Sequence, residues 1–246
     1  MRKAFTMIEL VFVIVIVGIL SLVISSSFER NTLREAADQV VSHIRYTQHL
    51  AMVDDKFVPN PEMSKESTQA RREIDVANWF MRRWTIRFQE NLVYTTLAPN
   101  KTYNKIWAYT IFTDLPNFTG HNPDILGMAK NPQNNAQYLS GGYDNTLHVE
   151  SPSAMKKLQL GMSYGVQDVT FSGGCRSNVL YLHFDYLGRP MNSFPTTHPY
   201  ELAAAGWHKL LQAQCRITLC DGDCANANSK KIVIGIEPES GYTHIL

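Results

Sequence analysis

The feature that most constrains this chain is a run of apolar residues close to its N-terminus. All but four of the 20 residues from 5 to 24 are apolar. The exceptions are Thr6, Glu9, Gly18 and Ser21. A helix of this length rises about 30 Å, which matches the hydrocarbon core of a bilayer. The sequence therefore predicts one membrane-spanning helix, and Arg2 and Lys3 before it predict a cytoplasmic N-terminus with the bulk of the chain exported.

Glu9 is the residue of this run that most needs an explanation. A carboxylate in an otherwise lipid-compatible helix costs several kcal/mol unless a positive group neutralises it. The run also exceeds the apolar core of a secretory signal peptide, roughly 7 to 15 residues, and continues without a turn signal. A cleaved signal peptide or a plain anchor therefore explains the segment less well than a helix in which Glu9 has a dedicated partner.

An amphipathic segment follows the apolar run. Residues of helical spacing form one largely apolar stripe, and charged residues occupy the other faces. The stripe consists of Leu33, Ala36, Ala37, Val40, Val41, Ile44, Gln48 and Ala51. Together the two segments predict one continuous helix of about 50 residues that ends near Asp54 and Asp55. We expect its first half to anchor the chain and its second half to pack against the protein's own sheet.

The remaining sequence is rich in predicted strands. Trp84, Ile86 and Phe88 alternate with polar residues, which predicts a half-buried strand. Further strands are predicted at residues 105–112, 146–150, 166–171, 179–184, 215–219, 232–236 and 242–245. Two loops are predicted, one at residues 58–80, which contains a short helix, and one at residues 113–144. Another short helix is predicted at residues 199–214. This order predicts an α+β fold, with a long N-terminal helix packed on a C-terminal antiparallel β-sheet domain.

Two regions of the sequence resemble one known family. The leader MRKA at residues 1–4, followed by FTMIELV at 5–11, is similar to the class III leader of type IV pilins and of type II secretion pseudopilins. Residues 179–184 leading into DYLGRP at 185–190, and 232–236 leading into SGY at 240–242, are similar to core strands of H-type minor pseudopilins and related minor pilins. The resemblance implies a structural filament subunit, a minor pilin or pseudopilin, and not an enzyme.

The resemblance also implies specific roles for residues near the N-terminus. A prepilin peptidase would cut between Ala4 and Phe5 and methylate the new amine. Glu9 would pair with the Phe5 amine of a neighbouring subunit during assembly, a step in which Thr6 is also implicated. An amine and a carboxylate buried together in a low dielectric are far less costly than either alone.

The same resemblance implies a domain organisation, partners and a location. Residues 1–4 form the leader, 5–28 the transmembrane and filament-core helix, 29–57 its amphipathic continuation and 58–246 a globular β-rich periplasmic domain. The expected partners are other pilin or pseudopilin subunits, the prepilin peptidase, the inner-membrane assembly platform and the inner membrane itself. The chain is expected to be a single-pass inner-membrane protein that assembles into a filament.

The overall charge identifies no partner. The chain has 23 Lys and Arg residues against 22 Asp and Glu, a net charge of +1. This balance produces no field that would attract nucleic acid or an anionic surface. Hydrophobic residues make up 44% and charged residues 18% of the chain, which excludes a mostly disordered or multi-span membrane protein.

Two other functions remain as alternatives. A segment that mixes arginine with aromatic residues is typical of single-strand binders and favours a DNA- or ligand-binding pilus-tip protein. It contains Arg71, Arg72, Trp79, Phe80, Arg82, Arg83, Trp84, Arg87 and Phe88. The C-terminus has no basic stretch, so nucleic acid is not the expected partner. A membrane-anchored periplasmic enzyme is the weaker alternative, since only His183 and Asp185 on one strand face suggest a catalytic pair and no catalytic motif occurs.

Four cysteines, all in the part expected to be exported, predict disulfides. Cys220 and Cys224 are the easiest to join, which leaves Cys175 for Cys215, although spacing does not fix which of three pairings forms. Zinc is the alternative, but the Cys-x4-Cys-x3-Cys spacing lacks the paired knuckles of structural zinc sites and has no nearby histidine.

Calcium is a second metal alternative. Oxygen-bearing side chains that could hold it follow in the loop after Cys220. They are Asp221, Asp223, Asn226 and Asn228. The loop lacks the turn glycine and closing glutamate of an EF-hand, which favours a solvated turn. No metal or cofactor is therefore expected.

Overall fold

The structure is a computed structural model that describes residues 7–27, 31–54, 56–91, 106–114, 123–143, 147–191 and 210–246. Side chains are described for these residues except 20–27, 80, 81 and 91. The chain divides into two units, Met1–Thr32 and Leu33–Leu246. The predicted helix at 199–214 falls mostly outside the described residues, as do the start of the strand predicted at 105–112 and part of the loop predicted at 113–144.

The N-terminal unit holds helix α1, Met7–Ser27. Among the described residues, no helix combines the length and the apolar character needed to cross a bilayer. The apolar part with described side chains, residues 7–19, rises about 20 Å along the helix, against about 30 Å for the hydrocarbon core. The predicted membrane-spanning helix and the single-pass inner-membrane location are therefore wrong.

The predicted continuous helix is also wrong. Helix α2 is a separate element, Thr32–Val53, and Asn31 immediately before it is not helical. Asn is a favoured residue at helix starts, and Thr32 followed three residues later by Glu35 is typical of a helix N-terminus. The chain therefore has two helices where one long helix was expected, and the rest of the described structure is mostly antiparallel sheet.

Helix α2 packs through the apolar stripe that its sequence predicted. Its buried residues are Leu33, Ala36, Ala37, Val40, Val41, Ile44, Thr47 and Ala51. Gln48, predicted within the stripe, is half-buried. Thr47 is buried in addition, and its hydroxyl donates a hydrogen bond of 2.8 Å to the carbonyl of His43 one turn earlier.

The described residues after α2 form two further α-helices, ten strands and three short 3₁₀ helices, Pro61–Met63, Trp79–Arg82 and Lys156–Leu158. The α-helices are α3 (Gln69–Asn78) and α4 (Leu160–Tyr164). The strands are β1 (Thr85–Asn91), β2 (Ile106–Phe112), β3 (Lys130–Asn131), β4 (Asn134–Tyr138), β5 (Asp168–Gly173), β6 (Tyr181–Phe184), β7 (Pro190–Met191), β8 (Cys215–Cys220), β9 (Lys231–Ile236) and β10 (Thr243–Ile245).

The strands form two four-stranded antiparallel sheets and a small hairpin. The first sheet has the order β2-β1-β6-β7 and the second the order β10-β9-β8-β5, while β3 and β4 pair with each other. Phe88 of β1, Phe171 of β5 and Ile217 of β8 belong to the same hydrophobic core as the stripe of α2. The helix therefore joins both sheets in one core.

Two local predictions differ from the structure. The hairpin β3–β4 lies inside the region predicted as a loop at 113–144. Its strand β4 is mostly exposed, so its sequence lacks the alternation of apolar and polar residues by which a strand is predicted. The strand predicted at 146–150 is a turn in its described part, where the Ser151 amide donates to the carbonyl of His148 at 3.0 Å.

Candidate functional site

The largest exposed apolar surface among the described residues is helix α1. Every described side chain from residue 7 to residue 19 is exposed, including Met7 at 88%, Ile8 at 69% and Phe12 at 64%. Apolar residues occupy all faces of the helix because the sequence lacks polar residues at helical spacing. Contiguous apolar surfaces of this kind mark sites of association.

Glu9 lies in the first turn of α1 and is the only acidic residue of that turn. A carboxylate near a helix N-terminus interacts favourably with the helix dipole. The processing residues Ala4 and Phe5 and the second assembly residue, Thr6, lie outside the described residues. Their predicted roles, like that of Glu9, stay predictions.

Two disulfides fix the ends of β8. Cys175 is bonded to Cys215, the first residue of β8, and Cys220, its last residue, is bonded to Cys224. We call these the long-range and the short-range disulfide, with sequence separations of 40 and 4. The Cys224 amide also donates to the Asp168 carboxylate at 2.9 Å, which ties the loop to β5. The pairing favoured by the sequence is the one present.

The metal alternatives find no support in the described residues. No group of three or more His, Cys, Asp or Glu side chains there could hold a metal ion. Two of the side chains suggested as calcium ligands accept hydrogen bonds from backbone amides of the loop. Asp221 accepts from the Lys230 amide at 2.8 Å, and Asp223 accepts from the Ala225 amide at 2.7 Å. The loop is therefore organised by its own hydrogen bonds.

The arginine and aromatic segment is used mainly inside the protein. Arg82 is 9% exposed and lies 2.8 Å from Asp75 and 2.9 Å from Glu66. Arg83 is buried, and Arg87 lies over the ring of Tyr143. These arginines are placed within the fold, and they do not form an exposed stacking surface. Phe80 has no described side chain.

The histidine of β6 and the aspartate of the turn that follows it have different hydrogen-bond partners. His183 is buried with its Nδ1 2.5 Å from the hydroxyl of Thr85. The Asp185 carboxylate accepts from the Leu187 amide at 3.0 Å and from the Arg189 guanidinium at 2.8 Å. Asp185 therefore closes the turn after β6.

A half-buried histidine on α2 was not singled out by the sequence. His43 is half-buried, and its Nδ1 lies 2.7 Å from the hydroxyl of the fully buried Tyr109 on β2. Burial lowers the pKa of His43 to about 4, because the charged imidazolium would lose its hydration. Burial likewise raises the pKa of Tyr109, so both groups are neutral at neutral pH.

Gln48 joins helix α2 to a turn of each large sheet. Its Nε2 donates to the carbonyls of Gly188 and Ser240, both at 2.8 Å. Gly188 follows β6, and Gly241 precedes β10, and both adopt positive φ. A Cβ on Gly241 would lie 2.6 Å from Nε2 of Gln48. The approach of the two turns to the helix therefore depends on glycine at these positions.

A polar cleft lies between the hairpin β3–β4 and residues 150–157, and we call it the hairpin cleft. Its volume is about 660 Å³, within the usual range for ligand sites. The residues that line it include Asn131, Gln133, Asn134, Gln137, Lys156 and Lys157. The run of Asn and Gln at residues 131–137, which was predicted as part of a loop, forms one wall of this cleft.

No protein-family model, curated protein or solved structure matches this chain.

Proposed function

We propose that this chain is a structural subunit of a pilin-type filament, a minor pilin or pseudopilin of a type IV pilus or type II secretion machine. One observation carries the proposal. The apolar side chains of α1 from Met7 to Ile19 are exposed on all faces, with Glu9 as the one carboxylate among them. Burying such a surface against identical or related helices stabilises an assembly by about 25 cal/mol per Å² of apolar area.

The disposition of the rest of the chain supports this role. The unit from Leu33 to Leu246 has its own core, two disulfides and internally paired arginines. The buried residues of this core lie between Leu33 and Ile236, so the unit supplies its own core. An element that is not needed for the core is available for association with other subunits.

Glu9 supplies the specificity of the proposed assembly. A carboxylate buried among apolar helices requires a positive partner. The resemblance at residues 1–11 offers that partner in the amine of Phe5 on a neighbouring subunit, once a prepilin peptidase has cut after Ala4. Thr6, which follows Phe5 in the sequence, is proposed to act in the same assembly step. The partners are therefore other subunits, the peptidase and the platform on which subunits assemble.

The test replaces Glu9 in cells that make the whole assembly machine. Glu9→Gln removes the charge and preserves the side-chain shape, and Glu62→Gln is the matched control at an exposed position. We expect Glu9→Gln to abolish incorporation of the chain into sheared filaments while the amount of folded protein in the cells stays unchanged. Incorporation of both variants at the wild-type level would refute the proposal.

A further inference from the structure

The hairpin cleft has an unequal supply of hydrogen-bond donors and acceptors. Asn131 donates from Nδ2 to Oε1 of Gln137 at 3.2 Å, and its own oxygen accepts from the Gln133 amide at 3.0 Å. The oxygen of Asn134 accepts from the Ala136 amide at 3.1 Å. Three side-chain oxygens are therefore used within the hairpin, whereas Nδ2 of Asn134 and Nε2 of Gln137 keep their donor capacity for a ligand.

The opposite wall of the cleft is positively charged. Lys156 and Lys157 are exposed, and their ammonium groups make no ion pair with the described residues. Glu150, a carboxylate on the same wall, already interacts within the protein. The cleft therefore offers amide donors on one side and two cations on the other, which suits a ligand rich in anionic and neutral oxygens.

We propose that the hairpin cleft binds an acidic oligosaccharide, a chain of sugar rings that carry carboxylates. The lysines would bind the carboxylates, and the amide donors would bind ring and hydroxyl oxygens. The proposal is independent of the filament function, because it involves none of the residues of α1.

Two features of the hairpin disfavour other polyanions. Single-stranded nucleic acid requires exposed aromatic rings for stacking, and the ring of Tyr138 is covered by the ammonium group of Lys130 at 3.5 Å. An acidic peptide would bind as an added strand only at a free edge. At Tyr138, β4 pairs with Lys130 on one side and with Ala154 on the other, and its amide donates to Ser153 at 2.8 Å.

The first experiment measures binding of oligogalacturonate to the full-length chain by isothermal titration calorimetry. We expect saturable binding that weakens with added salt, because two ammonium groups contribute to it. The double variant K156Q/K157Q should weaken binding at least about tenfold. The matched control K65Q/K230Q removes the same charge at exposed positions outside the cleft and should leave the affinity unchanged. Equal losses in both double variants would overturn the proposal.

The second experiment tests the amide wall with a substitution that preserves the hairpin. N134D retains the oxygen that accepts from the Ala136 amide and replaces the Nδ2 donor with a charged acceptor. It should weaken binding about tenfold. N226D is the control, because the oxygen of Asn226 accepts from the Asn228 amide in the same manner at 3.0 Å outside the cleft. Loss of affinity in N226D as large as in N134D would contradict the assignment.

Comparison ligands decide which property of the ligand is recognised. Neutral maltohexaose should bind at least about tenfold more weakly than oligogalacturonate, and so should polyglutamate and oligothymidylate of similar charge. Equal binding of polyglutamate or oligothymidylate would overturn the assignment to a sugar, and equal binding of maltohexaose would overturn the role of the lysines. Absence of oligogalacturonate binding at millimolar concentration would overturn the proposal altogether.

Discussion

Gln48 provides the sharpest test of how α2 organises the two sheets. Its single Nε2 group donates at 2.8 Å both to Gly188, in the turn after β6, and to Ser240, in the turn before β10. The two turns belong to different sheets. A change at one side chain of the helix therefore affects the junction of three elements.

The informative substitution is Gln48→Glu, which preserves shape and replaces the donor with a carboxylate. Two hydrogen bonds worth about 1 kcal/mol each are lost. The carboxylate also faces two carbonyl oxygens, so we expect a total loss of about 3 kcal/mol at pH 7. The two carbonyls raise the pKa of the introduced carboxyl group, since they disfavour its charged form. As the pH falls, the group becomes protonated and donates one bond again, and the deficit relative to wild type should shrink to about 1.5 kcal/mol.

Urea unfolding followed by tryptophan fluorescence measures these differences, with variant and wild type compared at each pH. Gln212→Glu is the control, because Gln212 is exposed and makes only a 3.3 Å hydrogen bond to Leu210. It should change stability by less than about 0.5 kcal/mol. A Gln48→Glu variant that is no more destabilised than Gln212→Glu, or whose loss of stability is the same at pH 4 and pH 7, would refute the role assigned to the Gln48 amide.

Three further predictions concern buried charge and covalent links. The pKa of His43 falls from 6.5 to about 4 on folding. Above pH 6.5 the imidazole is neutral in both the folded and the unfolded chain, and between pH 6.5 and 4 the free energy of unfolding decreases, because only the unfolded chain binds the proton. The decrease amounts to about 3 kcal/mol, so His43→Asn should flatten the urea midpoint over that range, and an unchanged pH profile would contradict this. Arg82→Ala leaves the 1%-exposed Asp75 without its ion pair and should cost about 3 kcal/mol. Arg71→Ala, which loses only an exposed contact of 3.7 Å, should cost less than about 1 kcal/mol in the same unfolding experiment, and similar losses would argue against a buried pair. Replacing both cysteines of one disulfide with serine should lower the free energy of unfolding by about 4 kcal/mol for the long-range disulfide and by about 2 kcal/mol for the short-range one. These values follow from the sequence separations of 40 and 4 and the entropy of closing a loop in the unfolded chain. A lower unfolding midpoint for the variant without the short-range disulfide would refute this order.

Strong periodicity made much of the fold predictable from sequence. Trp84, Ile86 and Phe88 are all buried on one face of their segment, as the alternation predicted. The glycines of the segments DYLGRP and SGY, Gly188 and Gly241, both have positive φ, a conformation that glycine adopts readily. These features are local, because one face or one dihedral angle decides them.

The features that were missed depend on weaker or non-local signals. Strand β4 is made of Asn, Ala, Gln and Tyr and is mostly exposed, so no buried face marks it in the sequence. Leu147 and Val149 are both buried, but they lie in a turn, since burial does not require a strand. The start of α2 did have a local sequence signal, in Asn31, Thr32 and Glu35. One continuous helix was predicted instead because the apolar run and the amphipathic segment follow each other closely and both have helical character.

Among the candidate sites, too, those that depend on residues close in sequence were predictable, and those that depend on distant residues were not. The short separation of Cys220 and Cys224 favoured the disulfide pairing that is present, although spacing alone did not decide among the three pairings. The hairpin cleft was not predictable, because its two walls, at residues 131–137 and 150–157, are brought together only by the tertiary structure. The same holds for the contact between His43 and Tyr109, which are 66 residues apart.

We propose that the chain acts as a processed subunit that α1 holds in a filament. Intact-mass spectrometry of the chain recovered from its native filament tests it most directly. We predict a mature protein that begins at Phe5 with a methylated amine and contains two disulfides. A chain that retains Met1, or one cut well downstream of Glu9, would contradict the claim.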